Sequence, residues 1–175
     1  VLNCLFSIII FSYFEENSQN LQLLFLIAAT VIIFLLANFG LVLPRIFLGD
    51  SGSTSLGFLI SCLLVYYTLP DNRYFHPVLA LWCAPLPTFD FLTVFFRRAF
   101  KKINPFKPDR RHLHYLMLSK KYSGNYVSFF LVFTSFLLSF LGFFVYYIRD
   151  SVYSISFFVF MFFIYLLLSL YVGKK

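Results

Sequence analysis

Residues 47–57, FLGDSGSTSLG, contain the first side chains in this chain with a clear capacity for chemistry. The central GDSGS resembles the setting of a nucleophilic serine, which needs a histidine base held by a third group. No histidine and aspartate placed for such a triad can be identified in the sequence. Asp50 is the stronger candidate than Ser51, because a carboxylate beside glycines suits a hard cation such as Mg²⁺. A surface aspartate that caps the next helix is the structural alternative.

The glycines and hydroxyl residues of this stretch predict tight turns followed by a capped helix. Ser53 or Thr54 is the predicted N-cap, because a side-chain oxygen there accepts a hydrogen bond from an early backbone N–H. A helix that starts in this way presents free N–H groups and a positive dipole end to an anion such as phosphate. A capped turn between two helices, without a ligand, explains the same composition.

Asp90 stands inside the apolar stretch APLPTFDFLTVFFRR, seven residues before Arg97. At the rise of an α-helix this separation is about 10 Å, which puts the carboxylate just below a membrane boundary. An ionisable group at that depth is costly and therefore suggests a functional site. Pro85 and Pro87 remove two backbone donors just before it. The structural alternative is an aspartate paired with Arg97 or Arg98 in a helix bundle.

A long basic stretch, INPFKPDRRHLHYLML, follows Asp90 in the chain. Its two prolines predict an extended entry, in which His112 and His114 share one face. Imidazoles and a guanidinium such as that of Arg110 could hold the phosphates of a nucleotide diphosphate. As a zinc signal the His-x-His pattern is weak. A basic loop that contacts anionic lipid heads is the structural alternative.

The composition places all these residues in a membrane protein. Of the 175 residues, 61% are hydrophobic and 12% are charged, which is more apolar surface than a soluble domain could bury. Continuous apolar runs favour helices over a closed barrel. The sequence predicts an all-α polytopic membrane protein, one domain of residues 1–175 with about six spanning segments and polar loops at 44–53 and 97–125. The predicted segments are Leu2–Phe14, Leu21–Leu43, Thr54–Leu69, His76–Phe96, Tyr126–Ile148 and Val152–Val172.

The net charge of +7 indicates membrane orientation rather than binding to nucleic acid. If the segments alternate across the bilayer, twelve of the 14 basic residues fall on one side, which leaves Arg73 and Arg149 on the other. Loops rich in lysine and arginine stay in the cytoplasm. The basic side is therefore predicted to be cytoplasmic, and it carries Asp50, Asp90 and Asp109.

In this order and spacing, three strings resemble the polyprenyl-phosphate N-acetylhexosamine-1-phosphate transferases of glycosyltransferase family 4. The strings are FLGDSGSTSLG, HPVLALWCAPLPTFDFLTVFFRR and INPFKPDRRHLHYLML. The nearest branch transfers N-acetylglucosamine 1-phosphate to undecaprenyl phosphate at the start of cell-envelope polysaccharide synthesis, such as that of O-antigen in lipopolysaccharide. The resemblance runs over nearly the whole chain.

The resemblance implies transfer of a sugar 1-phosphate from a UDP-N-acetylhexosamine to undecaprenyl phosphate, with release of UMP. It implies Mg²⁺, with Mn²⁺ as an alternative ion, and a multi-pass protein of the bacterial inner membrane whose active face is cytoplasmic. Asp50 is then the catalytic carboxylate and metal ligand, and Asp90 lies in the same cleft. Arg110, His112 and His114 bind the UDP-sugar, and Asn38 is a further candidate for substrate binding. The partners expected are these two substrates and the bilayer, with a homodimer as a further expectation.

Two departures from the family pattern qualify these expectations. The HxHH pattern ends in Tyr115, which cannot carry positive charge. The Asp-Asp pair and the loop rich in asparagine and aspartate that precede this region in family members do not occur in these 175 residues. The expectation is therefore a C-terminal half that is inactive alone. A transporter subunit and a noncatalytic membrane protein stay open as alternatives.

The charge distribution generates a test of orientation. Single cysteines placed at Lys107 and at Asn72, in a background lacking Cys4, Cys62 and Cys83, should lie on opposite sides of the membrane. In intact cells an impermeant thiol reagent should label position 72 and spare position 107. Labelling of position 107 under these conditions would overturn the predicted topology.

Overall fold

The computed structural model describes residues 1–15, 21–40, 46–70, 74–100, 102 and 113–174, and no strand occurs among them. The predicted all-α class is confirmed. The described helices are α1 (Leu2–Phe14), α2 (Leu21–Asn38), α3 (Gly49–Thr68), α4 (Pro77–Cys83), α5 (Pro85–Phe100), α6 (Leu113–Ser119), α7 (Gly124–Arg149) and α8 (Ser151–Lys174).

Three helices in the described part of the chain are long and apolar enough to cross a membrane. They are α2, α7 and the segment Ser151–Leu170 of α8, with mean hydropathies of 2.4, 2.2 and 2.2. A fourth span is reached if α4 and α5 count together, and α1 is a shorter apolar helix. The chain is thus a multi-pass membrane protein. The six spans expected from the sequence stay a prediction.

The segment predicted at His76–Phe96 is not one continuous helix. It divides into α4 and α5, and Ala84 separates them. Each of the two helices begins with a proline, Pro77 and Pro85. Proline is tolerated in the first turn because the N–H that it lacks would have no partner there, whereas inside a helix it breaks the hydrogen-bond ladder.

Both predicted loops are partly helical. Helix α3 begins at Gly49, so that residues 49–53 of the predicted loop 44–53 are helical. The predicted loop 97–125 contains the end of α5, all of α6 and the start of α7. The predicted N-cap at Ser53 or Thr54 is also wrong, because the residue before the helix is Leu48. The two hydroxyls instead donate back to the carbonyl oxygen of Asp50, at 2.9 and 2.7 Å, as is usual for such residues inside a helix.

The described residues divide into two compact units, Val1–Cys83 and Ala84–Lys175. Helix α1 is the centre of the first unit, where it packs against α2, α3 and α4. Leu5 and Ile8 of α1 are fully buried, as are Leu24 of α2 and Trp82 of α4. The thiols of Cys4 and Cys83 are hydrogen-bonded to each other. The short first helix is therefore a core element of this unit.

The second unit contains α5 to α8, and α7 and α8 form its largest helix contact. Small side chains line the buried stripe of α7, at Ser135, Ser139 and Gly142. The hydroxyl of Ser154, fully buried at the start of α8, donates to the carbonyl oxygen of Gly142 at 3.3 Å. Small residues let two membrane helices approach closely, and a serine hydroxyl adds a hydrogen bond between them.

Enlarging Ser154 should separate α7 from α8. We expect Ser154→Leu to destabilise the protein by about 1–3 kcal/mol, since extra methylenes in a packed interface force strain. Ser156→Leu is the matched control, because Ser156 is exposed two residues further along the same helix. Thermal unfolding in lipid nanodiscs should show a lower Tm for Ser154→Leu alone. Equal Tm values for the two variants would contradict close packing at Ser154.

Candidate functional site

In the first unit, the segment that precedes Asp50 is held by Asn38 at the end of α2. The side-chain amide of Asn38 donates to the carbonyl oxygen of Ile46 at 2.8 Å. This bond ties the end of α2 to the residues that enter α3. Asn38 is expected from the sequence to bind substrate. In the structure its side chain makes a contact that positions the segment before Asp50. Its role toward a substrate stays a prediction.

The turn into α3 depends on Gly49. Its φ of 69° lies in the left-handed region, where a side chain would be strained. Glycine at this point lets the chain turn sharply between Leu48 and Asp50. Asp50 then falls in the first turn of α3, where a negative charge is favoured by the helix dipole.

The carboxylate of Asp50 is exposed, and it accepts no hydrogen bond from the part of the chain that the structure describes. An unengaged carboxylate at this position can bind a cation. Because Asp50 already supplies negative charge at the helix start, a phosphate would approach most favourably together with a cation. The binding of an anion such as phosphate at this helix start stays a prediction.

The single carboxylate fits Mg²⁺, which keeps several waters and takes one or two carboxylates plus phosphate oxygens. Among the described residues, no group of three histidine, cysteine or acidic side chains comes together to hold a metal. Ser51 is exposed beside Asp50, and its carbonyl oxygen accepts a bond from the Ser55 hydroxyl at 2.8 Å. No base is seen near the Ser51 hydroxyl within the described residues.

In the second unit, Asp90 connects three helices through one oxygen. Its Oδ1 atom accepts a hydrogen bond from the backbone N–H of Leu113, the first residue of α6, at 3.1 Å. The same oxygen accepts a second bond from the hydroxyl of Tyr165 in α8, at 2.9 Å. A carboxylate on α5 thereby holds the start of α6 and the middle of α8. The sequence did not identify these two donors, and the pairing of Asp90 with Arg97 or Arg98 stays a prediction.

Helix α6 carries the one predicted histidine of the basic stretch that the structure describes. His114 is the second residue of α6, so that it is helical rather than extended, and its ring centroid lies 4.2 Å from that of Tyr115. Arg110 and His112 lie outside the described residues, as does Asp109. Because Asp90 bonds the residue next to His114, it helps to position this imidazole. The substrate-binding roles of Arg110, His112 and His114 stay predictions.

Tyr165 is the residue of this site that sequence reasoning missed. It lies in a long apolar helix among many other aromatic residues, and nothing in its spacing points to a carboxylate 75 residues earlier. Only a general rule could have pointed to Tyr165. A buried tyrosine hydroxyl usually has a hydrogen-bond partner, and an acidic residue in another apolar segment is a natural acceptor.

Comparison with known proteins gives two kinds of match. Residues 1–68 match the family model described as "Glycosyl transferase family 4". Three similar relatives all bear the name undecaprenyl-phosphate alpha-N-acetylglucosaminyl 1-phosphate transferase. The protein from Yersinia pestis is 36% identical over 108 residues, which is 60% of this chain and 30% of the relative. The protein from Haemophilus influenzae is 31% identical over 146 residues, which is 81% of this chain and 41% of the relative.

The third relative, from Escherichia coli strain K12, is 32% identical over 108 residues, or 61% of this chain. No solved structure gives a significant match. The chain thus spans less than half the length of the curated relatives that it matches.

The Asp90 contacts generate a test that does not need catalytic activity. Tyr165→Phe removes one donor to a carboxylate, and we expect it to cost about 1–3 kcal/mol. Amide hydrogen exchange in α6 should become faster, because that helix is held through the same oxygen. Tyr153→Phe is the matched control, since Tyr153 is an exposed tyrosine of the same helix. If α6 exchanged at the same rate in both variants, Asp90 would not anchor it through Tyr165.

Proposed function

We propose that this chain, which resembles glycosyl transferase family 4, takes part in transfer of N-acetylglucosamine 1-phosphate from UDP-N-acetylglucosamine to undecaprenyl phosphate. UMP leaves in this reaction. The observation that carries the proposal is the similarity to the Haemophilus influenzae transferase, because it extends over 81% of the chain. That stretch is long enough to include both Asp50 and Asp90 wherever it lies in the chain.

Asp50 is proposed as the catalytic carboxylate and the ligand of Mg²⁺. Its exposure, its lack of a described hydrogen-bond donor and its place beside Gly49 leave room for a cation that also contacts substrate phosphate. The two substrates are both anions, so their approach at neutral pH needs compensating positive charge. Bound Mg²⁺ supplies that charge and stabilises the charge that develops on the transferring phosphate. Mn²⁺ prefers the same oxygen ligands and can replace it.

Asp90 is proposed to act from a more enclosed position. Two donors occupy one of its oxygens and fix the orientation of the carboxylate. The same bonds hold α6, and with it His114, in place for contact with the UDP-sugar. Arg110 and His112 precede α6 closely in the chain and are proposed to contact the diphosphate. Guanidinium and imidazolium groups suit such contacts because they donate charge-assisted hydrogen bonds to phosphate oxygens.

The membrane setting completes the proposal. We place the reaction at the cytoplasmic face of a bacterial inner membrane, as the distribution of basic residues favours. There the acceptor lipid is dissolved in the bilayer and the UDP-sugar arrives from water. A role in lipopolysaccharide synthesis and assembly as a homodimer are finer expectations that follow from the family resemblance.

The function is tested by comparing Asp50 with its neighbour. Asp50→Asn removes the charge that binds the cation, and it should lower transfer by at least about 100-fold, the scale of losing a main electrostatic contribution. Ser51→Ala should keep most of the activity, because Ser51 has no described base to activate it. Formation of labelled lipid from labelled UDP-N-acetylglucosamine, undecaprenyl phosphate and Mg²⁺ is measured in membranes of a host that lacks its own transferase.

The assay uses two proteins, because the chain aligns with 41% of the Haemophilus influenzae relative. One is the chain itself. The other joins it to the part of that relative that it does not match, which is expected to supply further acidic ligands. We expect the joined protein to be active and the chain alone to be inactive. Loss of activity in Ser51→Ala with retention in Asp50→Asn would reverse the assignment, and an inactive joined protein would contradict the transferase proposal.

A further inference from the structure

The second unit contains an apolar cavity of about 470 Å³ between α5, α6, α7 and α8. This volume falls within the usual range for sites that bind small molecules. Along α7 the wall is formed by Tyr126, Phe130, Thr134 and Leu138, four residues that repeat at helical spacing on one face. At 1.5 Å per residue they extend over about 18 Å, so that the cavity is shaped for a chain rather than a compact ligand.

The polar atoms on these walls are largely engaged within the protein. The hydroxyl of Tyr165, which lines the cavity, donates to Asp90. The N–H of Leu113 donates to the same carboxylate, and the hydroxyl of Thr134 donates to the carbonyl oxygen of Phe130. The cavity therefore presents mainly hydrocarbon and aromatic surface. Such a surface favours an apolar chain as the ligand. Lipid acyl chains are available to it, because α7 and α8 are both candidate membrane spans.

One end of the cavity differs from the rest. Lys120 and Tyr122, in the turn between α6 and α7, line it there, and Lys120 is the single cation among the described lining residues. Lysine and tyrosine at the end of a membrane helix are typical neighbours of lipid head groups. A ligand for this cavity thus has an apolar chain and one anionic group.

We propose that the cavity binds a resident glycerophospholipid, with one acyl chain along α7 and its phosphate beside Lys120. The phosphodiester of such a lipid carries one negative charge, which Lys120 balances. A phosphate monoester carries about −1.5 to −2 charges at neutral pH, which is more than the single charge of Lys120 can balance. This binding does not depend on transfer activity, so that either proposal can fail without the other.

Native mass spectrometry of the full chain, after removal of copurified lipid, measures this binding. Dioleoyl-phosphatidylglycerol is added as the probe, and we expect one molecule to be retained more tightly than others. Lys120→Gln should weaken that retention roughly fivefold, the effect of one lysine near an anionic lipid surface. Lys121→Gln is the matched control, because Lys121 is adjacent and does not line the cavity.

A second pair of variants tests the position of the acyl chain. Thr134→Phe fills the cavity and should abolish the tightly held lipid, whereas Val132→Phe, exposed on the same helix, should not. Met161→Phe fills the cavity from α8 and serves if Thr134→Phe fails to fold. Equal retention in the filling and control variants would overturn the site, and equal weakening by both lysine variants would overturn the head-group contact. Displacement of phosphatidylglycerol by undecaprenyl phosphate at equal concentration would show that the occupant is the polyprenyl lipid instead.

Discussion

A carboxylate inside an apolar helix bundle must have its oxygens hydrogen-bonded, because water is not there to do it. In the second unit this constraint falls on Asp90. For its Oδ1 atom the protein meets this constraint with the N–H of Leu113 and the hydroxyl of Tyr165. The first bond fixes where α6 begins, and the second fixes the rotation of α8 about its axis. The aromatic ring of Phe89, next to Asp90, is fully buried against Phe158 and Tyr165, so the residue beside the carboxylate is part of the packed core of this unit.

This arrangement shows why the sequence predicted some features and missed others. Fold class follows from composition and pattern, because a chain this apolar must satisfy its backbone as helices or a closed barrel, and its continuous apolar runs favour helices. The prolines that mark the break near Pro85 are also visible in sequence, although the prediction was one segment, His76–Phe96, rather than two helices. The partners of Asp90 were not visible. A hydrogen bond between residues 75 positions apart depends on how helices rotate and pack, which periodicity in apolar runs does not encode.

The start of α3 shows a second limit of sequence reasoning. Hydroxyl residues favour N-caps, and either Ser53 or Thr54 was the predicted cap, yet Gly49 allows the chain to turn and enter the helix earlier. Once inside the helix, the same hydroxyls bond the carbonyl oxygen of Asp50 instead. The choice between Asp50 and Ser51 as the reactive residue did not need this detail. The preference for Asp50 rested on the base that a nucleophilic serine needs, and this requirement can be judged from residue types alone.

The two candidate carboxylates differ in the property that decides what each can do. Asp50 is exposed and unengaged by described donors, so that a cation can bind it at little desolvation cost. Asp90 is half-buried and already has two donors on one oxygen, so that binding a cation there would compete with the bonds that hold α6 and α8. A metal is therefore proposed for Asp50, and a positioning role is proposed for Asp90. Tyr165 also lines the cavity proposed to hold lipid. An acyl chain bound there would pack against the helix whose tyrosine hydroxyl orients Asp90. A lipid bound there would therefore contact the tyrosine that donates a hydrogen bond to Asp90.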